Sequence, residues 1–182
     1  MSRPLQKFTT EFVAEEDRLR LSGVLDDGQP VVLWLTQRLL RRLLPHLCGW
    51  LEKQPVPGVS AALAQAMVLQ PEQIHHMAQQ SAQNALLAQK QAPVQAPSDA
   101  FNGLVQTVKL ESGEGRMQLV LCVEQPPPAE FLVAFSPMGL RQWLGIVFRH
   151  YERAQWPLEI WPQWMASHKT AGHDQPAVAV LH

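Results

Sequence analysis

The chain has almost no cysteine. Cys48 and Cys122 are the only two in 182 residues, and each falls where a small apolar residue would pack, one in a predicted helix and one in a predicted strand. That argues against a disulfide framework and fits a reducing compartment. Net charge is equally scarce: 15 Lys and Arg against 16 Asp and Glu leave -1, so no whole-chain field attracts nucleic acid or an anionic membrane, and any such binding must be local. Long apolar runs are missing too. The longest candidate, residues 31–51, is broken by Arg38, Arg41, Arg42 and His46, which are costly at membrane depth. Behind the basic residues of the N-terminal MSRPLQKFTTEF no apolar segment follows, as a secretory signal requires. These absences predict a soluble, cytoplasmic protein with no membrane partner.

Motifs that carry chemistry are also lacking. There is no G-x-S-x-G and no C-x-x-C, and the ten glycines build neither G-x-G-x-x-G nor a Walker loop. His75 and His76 are neighbours on a predicted helix, point about 100° apart, and cannot share one ion in the i, i+4 manner. His168, His173 and His182 read as solvated loop residues. The expectation is a non-catalytic protein without metal or cofactor, an undetected hydrolase standing third behind two binding functions.

What the sequence does contain is a plan written twice, one hundred residues apart. VVLWLTQRLLRRLLPHLCGWLEK (31–53) and FLVAFSPMGLRQWLGIVFRHYER (131–153) each pass from an apolar strand into an amphipathic helix through one hydroxyl, Thr36 and Ser136. A hydroxyl there accepts a hydrogen bond from an N–H left unpaired in the first helical turn. Pro137 follows Ser136 at the first helical position, where its missing N–H costs nothing. The first helix, from Gln37 to about Lys53, sets Leu39, Leu40, Leu43, Leu44, Leu47 and Leu51 on one broad face and Arg38, Arg41 and Arg42 on the other, and a kink is expected at Pro45. Upstream of each helix lie strands: 5–13, 18–25 and 31–35 in the first half, then 104–110, 117–123 and 131–135 in the second. The turns between them carry Asp26-Asp27-Gly28 and Ser112-Gly113-Glu114-Gly115.

A chain of this length buries roughly 70% of its extended surface, enough for an ordinary core. The expected fold is α+β: two β-β-β-α units in pseudo-two-fold arrangement, with antiparallel strands in one sheet or two. The units span 1–53 and 101–154. A helical insertion and connector occupy 54–100, with helices expected over 59–69 and from Pro71 to about Gln91, and a Trp/Pro-rich tail fills 155–182. All four segments are expected to form one compact domain.

Function is read from the additions to this plan. Trp156, Trp161 and Trp164 alternate with Pro157 and Pro162, which argues for extended chain laid on an apolar surface; tryptophan is also enriched at protein interfaces. Met77 lies on an alanine- and methionine-rich helix stripe that suits a partner helix. Arg38, Arg41 and Arg42 share one helical face, fit to contact carboxylates or phosphates. The first reading is a protein-interaction or assembly protein of bacterial type, a homodimer or a subunit of a larger complex. The alternative is a small-ligand or nucleic-acid-binding module using the cleft between the units or the Arg38/Arg41/Arg42 face.

Overall fold

The computed structural model describes residues 1–89, 91–166 and 180–181. β1 (Arg3–Val13), β2 (Arg18–Leu25) and β3 (Pro30–Thr36) form an antiparallel meander that runs directly into helix α1 (Gln37–Glu52). Two further helices follow, α2 (Ala61–Ala66) and α3 (Pro71–Leu87). β4 (Phe101–Leu104) precedes a second antiparallel meander of β5 (Thr107–Gly113), β6 (Arg116–Val123) and β7 (Ala129–Phe135), which leads into α4 (Pro137–Ala154). The described chain closes with the short helix α5 (Gln163–Ala166) and the two-residue strand β8 (Val180–Leu181).

The class is α+β, but the sheet is mixed rather than purely antiparallel. Its order is β4-β3-β2-β1-β7-β6-β5, and the two meanders meet through parallel pairing of β1 with β7, where Arg3 faces Phe131 and Pro4 faces Leu132. β4 is likewise parallel to β3, with Phe101 opposite Val31. The strand expected over 104–110 therefore straddles a change of partner. Val105 N–H donates to the Trp34 carbonyl at 3.0 Å and Gln106 N–H to the Cys122 carbonyl at 3.1 Å, so adjacent residues bond to opposite ends of the sheet. One segment, 101–113, thus joins both ends and curls the sheet on itself. Gly103 sits at this closure, where a Cβ would come 2.8 Å from Val123 Cγ1. β8 lies off the main path, antiparallel to β1, with Leu181 opposite Phe8 and Val180 opposite Thr9.

Alternation along the strands decides what faces inward. β2 buries Leu19, Leu21 and Leu25; β6 buries Met117, Leu119, Leu121 and Val123; β3 buries Val31, Leu33 and Leu35 where β7 buries Phe131, Val133 and Phe135. Thr36 Oγ1 accepts from Leu39 N–H and Ser136 Oγ from Gly139 N–H, both at 3.1 Å, so the two hydroxyls cap their helices alike. Between the meanders, Phe8, Leu21, Leu35, Leu119, Val133 and Trp143 close around a void of about 10 Å³. Its apolar walls offer a water no polar partner, so this space is dry core.

Candidate interaction surface

The helical insertion is attached by a polar seam. The Gln79 side chain of α3 donates to the Arg141 carbonyl of α4 at 2.8 Å, Gln83 donates to the same carbonyl at 3.3 Å, and Gln142 donates to the Ala82 carbonyl at 3.3 Å. Gly145 has no side chain to keep Gln83 away. Arg141 itself is 4% exposed. Its guanidinium lies 2.9 Å from His75 Nδ1 and 5.2 Å above the Trp164 ring. Burial holds its pKa down at about 10, against the opposing pull of Cys48 and Glu52. His75 is also held below its ordinary value, first by burial and then by the charge of Arg141.

The tail completes this cover. Trp156, Trp161 and Trp164 are all buried, with Trp164 the least exposed at 2%. Trp156 and Trp161 meet the Tyr151 ring edge-on at 5.0 and 5.4 Å. Trp156 donates to Asp17 at 2.9 Å and Trp164 to Glu52 at 3.0 Å. The segment beyond Trp161 forms α5 rather than extended chain, because Pro162 stands just ahead of a helical turn. Each indole buries roughly 150–250 Å², worth on the order of 4–6 kcal/mol before the cost of ordering the chain. The three tryptophans therefore fasten the tail to α1, α3 and α4. Met77 stays half exposed beside an apolar pocket of about 440 Å³ with Val56, Val59, Ser81 and Met138. His168, His173 and His182 lie outside the described residues.

Cover on α4 leaves α1 in contrast. From Leu40 to Leu51 the inward side of α1 is buried, while Arg38, Arg41, Arg42, Pro45 and His46 are exposed. At the positions one hundred residues on, Arg141, Gln142, Gly145 and Ile146 are buried, and only Met138, matching Arg38, is exposed. Among the described residues, Arg38, Arg41 and Arg42 make no ion pair and no hydrogen bond; ion pairs there join Arg3 to Asp27, Arg18 to Glu16, Arg20 to Glu11 and Lys109 to Glu130. Beside this face runs an open groove of about 440 Å³, with Leu39, Arg42, Leu43 and His46 of α1 on one wall and Gln106, Val108 and Leu110 of the β5 strand region on the other.

No family model, no curated protein and no solved structure matches the chain.

Lys109, Glu130 and the two thiols are held by their surroundings. A groove of about 700 Å³ lies between Met1 and Arg3 and the second meander's Lys109, Cys122 and Glu130. There Lys109 and Glu130 neutralise each other at 2.6 Å, the lysine held above its ordinary pKa and the carboxylate below by their mutual hydrogen bond. Burial raises the Cys122 thiol, and pushes the Cys48 thiol up to about 12, so both stay protonated at neutral pH. Among the described residues no three His, Cys, Asp or Glu side chains gather as metal ligands, and no helix is long and apolar enough to cross a membrane. Sequence reasoning isolated Arg38, Arg41 and Arg42 by their spacing. It missed the facing wall at Gln106–Leu110, whose strand reaches α1 only through long-range folding.

Proposed function

We propose that the protein is a non-catalytic assembly protein of the cytoplasm that binds a protein partner through the outer face of α1. The observation that carries this reading is the unequal treatment of two similar helices. The chain spends α3, α5 and three tryptophans covering α4, and leaves α1 bare with three unpaired arginines. A desolvated carboxylate opposite such a cation is the kind of contact that fixes partner and register.

The same contrast supports a pseudo-two-fold pair of β-β-β-α units as the scaffold. Val13 pairs with Arg18 and Gly113 with Arg116; Leu19 pairs with Leu35 and Met117 with Phe135. Parallel pairing of β1 on β7 is matched by β4 on β3. The inward residues of the two helices also correspond, Leu40 with Leu140, Leu44 with Leu144, Leu47 with Val147 and Leu51 with Tyr151. In a scaffold of this kind function resides in what the halves do not share, and the bare α1 face is one such difference.

A second reading, nucleic-acid binding, draws on the same arginines. It lacks exposed aromatic side chains between them for stacking, and the chain as a whole is not basic. Size-exclusion of the protein from its native cells separates the readings. Wild type is expected in a nuclease-resistant particle larger than the 20.5 kDa chain, and Arg38→Glu/Arg41→Glu/Arg42→Glu as a folded free chain. A nuclease-sensitive particle would favour the second reading, and a particle unchanged by the triple variant would contradict both.

A further inference from the structure

We infer that the groove between α1 and β5 is a strand-docking site, which takes an extended segment of a partner protein whose apolar residues alternate with carboxylates. The inference rests on the assembly reading above and names its site and the chemistry of its partner.

The first observation is a free sheet edge. β5 pairs with β6 along its whole length, from Thr107 opposite Cys122 to Gly113 opposite Arg116, and no strand of the described chain pairs with its other edge. Such an edge presents a row of unpaired N–H and C=O groups that template another strand. The second is that the chain fills the corresponding edge itself. Phe8 faces Gly23 in the first meander as Val108 faces Leu121 in the second, and it is Phe8 and Thr9 that β8 covers, antiparallel and against α4. The connector adds to that cover, because Val94 N–H donates to Thr9 Oγ1 at 2.8 Å. On the α1 side the same angle between strand and helix stands open as the 440 Å³ groove.

The third observation chooses the occupant. Half-buried Val108 and Leu110, with Leu39 and buried Leu43, form an apolar floor that suits every second side chain of a strand. Arg42 and His46 stand in the wall, with Arg38 and Arg41 on the same exposed face. A second copy of this chain docked edge to edge would bring two sets of unpaired arginines together, whereas carboxylates on the incoming strand would pair with them.

The test uses the full chain and a ten-residue peptide alternating Val and Glu, with a Val/Lys peptide as control. Binding is read by fluorescence anisotropy and by amide exchange across 107–113. The Val/Glu peptide is expected to slow exchange in β5, to bind at least tenfold more tightly than the Val/Lys peptide, and to lose at least tenfold in affinity to Arg42→Glu, an exposed change that leaves the core intact. Two further peptides carry N-methyl groups along one edge or the other. One is expected to bind as the parent and the other not at all, since a docked strand pairs along a single edge. Equal effects of the two methylations, protection outside β5, or indifference to Arg42→Glu would overturn the proposal. Concentration-dependent self-association abolished by Val/Lys and Val/Glu peptides alike would overturn it in favour of a second copy. If the peptide fails while the native particle still depends on Arg38, Arg41 and Arg42, the strand site falls and the assembly reading stands.

Discussion

Arg141 and Arg41 sit at matching points of two helices and lead opposite lives. Arg141 is desolvated, lies against His75 and covers the Trp164 ring, whereas Arg41 is exposed and makes no ion pair. Their neighbours give two predictions. His75 and His150 are both held below their ordinary 6.5, chiefly by burial. His150 Nε2 also meets the Thr10 carbonyl at 2.9 Å, as a neutral ring N–H donating. As pH falls through 6.5 the unfolded chain takes up these protons before the folded one, so stability present at neutral pH is lost on the way down to the depressed folded-state values. Urea denaturation at about pH 7.5 and about pH 5.5 should show that loss, and His75→Gln/His150→Gln should reduce it. Tyr151 gives the second. Its ring is fully buried, its hydroxyl has no hydrogen-bond partner among the described residues, and burial raises its pKa. Tyr151→Phe removes an unsatisfied polar atom and should leave the melting temperature unchanged or raise it, by up to about 1 kcal/mol in stability.

At the scale of elements, α1 runs unbroken from Gln37 to Glu52 through Pro45, which is exposed. A proline inside a helix forfeits one hydrogen bond and crowds the preceding turn, so Pro45→Ala should stabilise the protein by about 1–3 kcal/mol, measured as a shift in denaturation midpoint at unchanged m-value. Local signals made this helix legible: a hydroxyl cap, a leucine face and arginines at spacings of three and four. β2 was legible for the same reason, because alternation over Arg18–Leu25 needs no distant partner to be read. The break between β4 and β5 was not. Val105 and Gln106 continue the same alternation, and only the identity of the strands alongside, β3 and β6, divides them. The tail was equally opaque, since a segment spaced by Pro157 and Pro162 has no period to show which way its tryptophans turn.

For the whole molecule, the difference between the halves matters more than their likeness. The likeness is local and was visible in the sequence at Thr36 and Ser136. The difference is built by segments distant in the chain, α3 on α4, α5 on α3 and β8 on β1, so composition could name the arginine face but not the open wall beside it. The proposed meeting place with a partner is the α1 face flanked by the β5 edge, with the face under α3 and α5 closed. Site-specific photocrosslinking in the native cell tests this most directly, with a photoreactive residue at exposed Pro45 of α1, which leaves Arg38, Arg41 and Arg42 in place, and, separately, at exposed Gln80 on α3. A protein adduct of discrete mass is expected from position 45 and none from position 80. Adducts from position 80 alone, or from neither position, would contradict it.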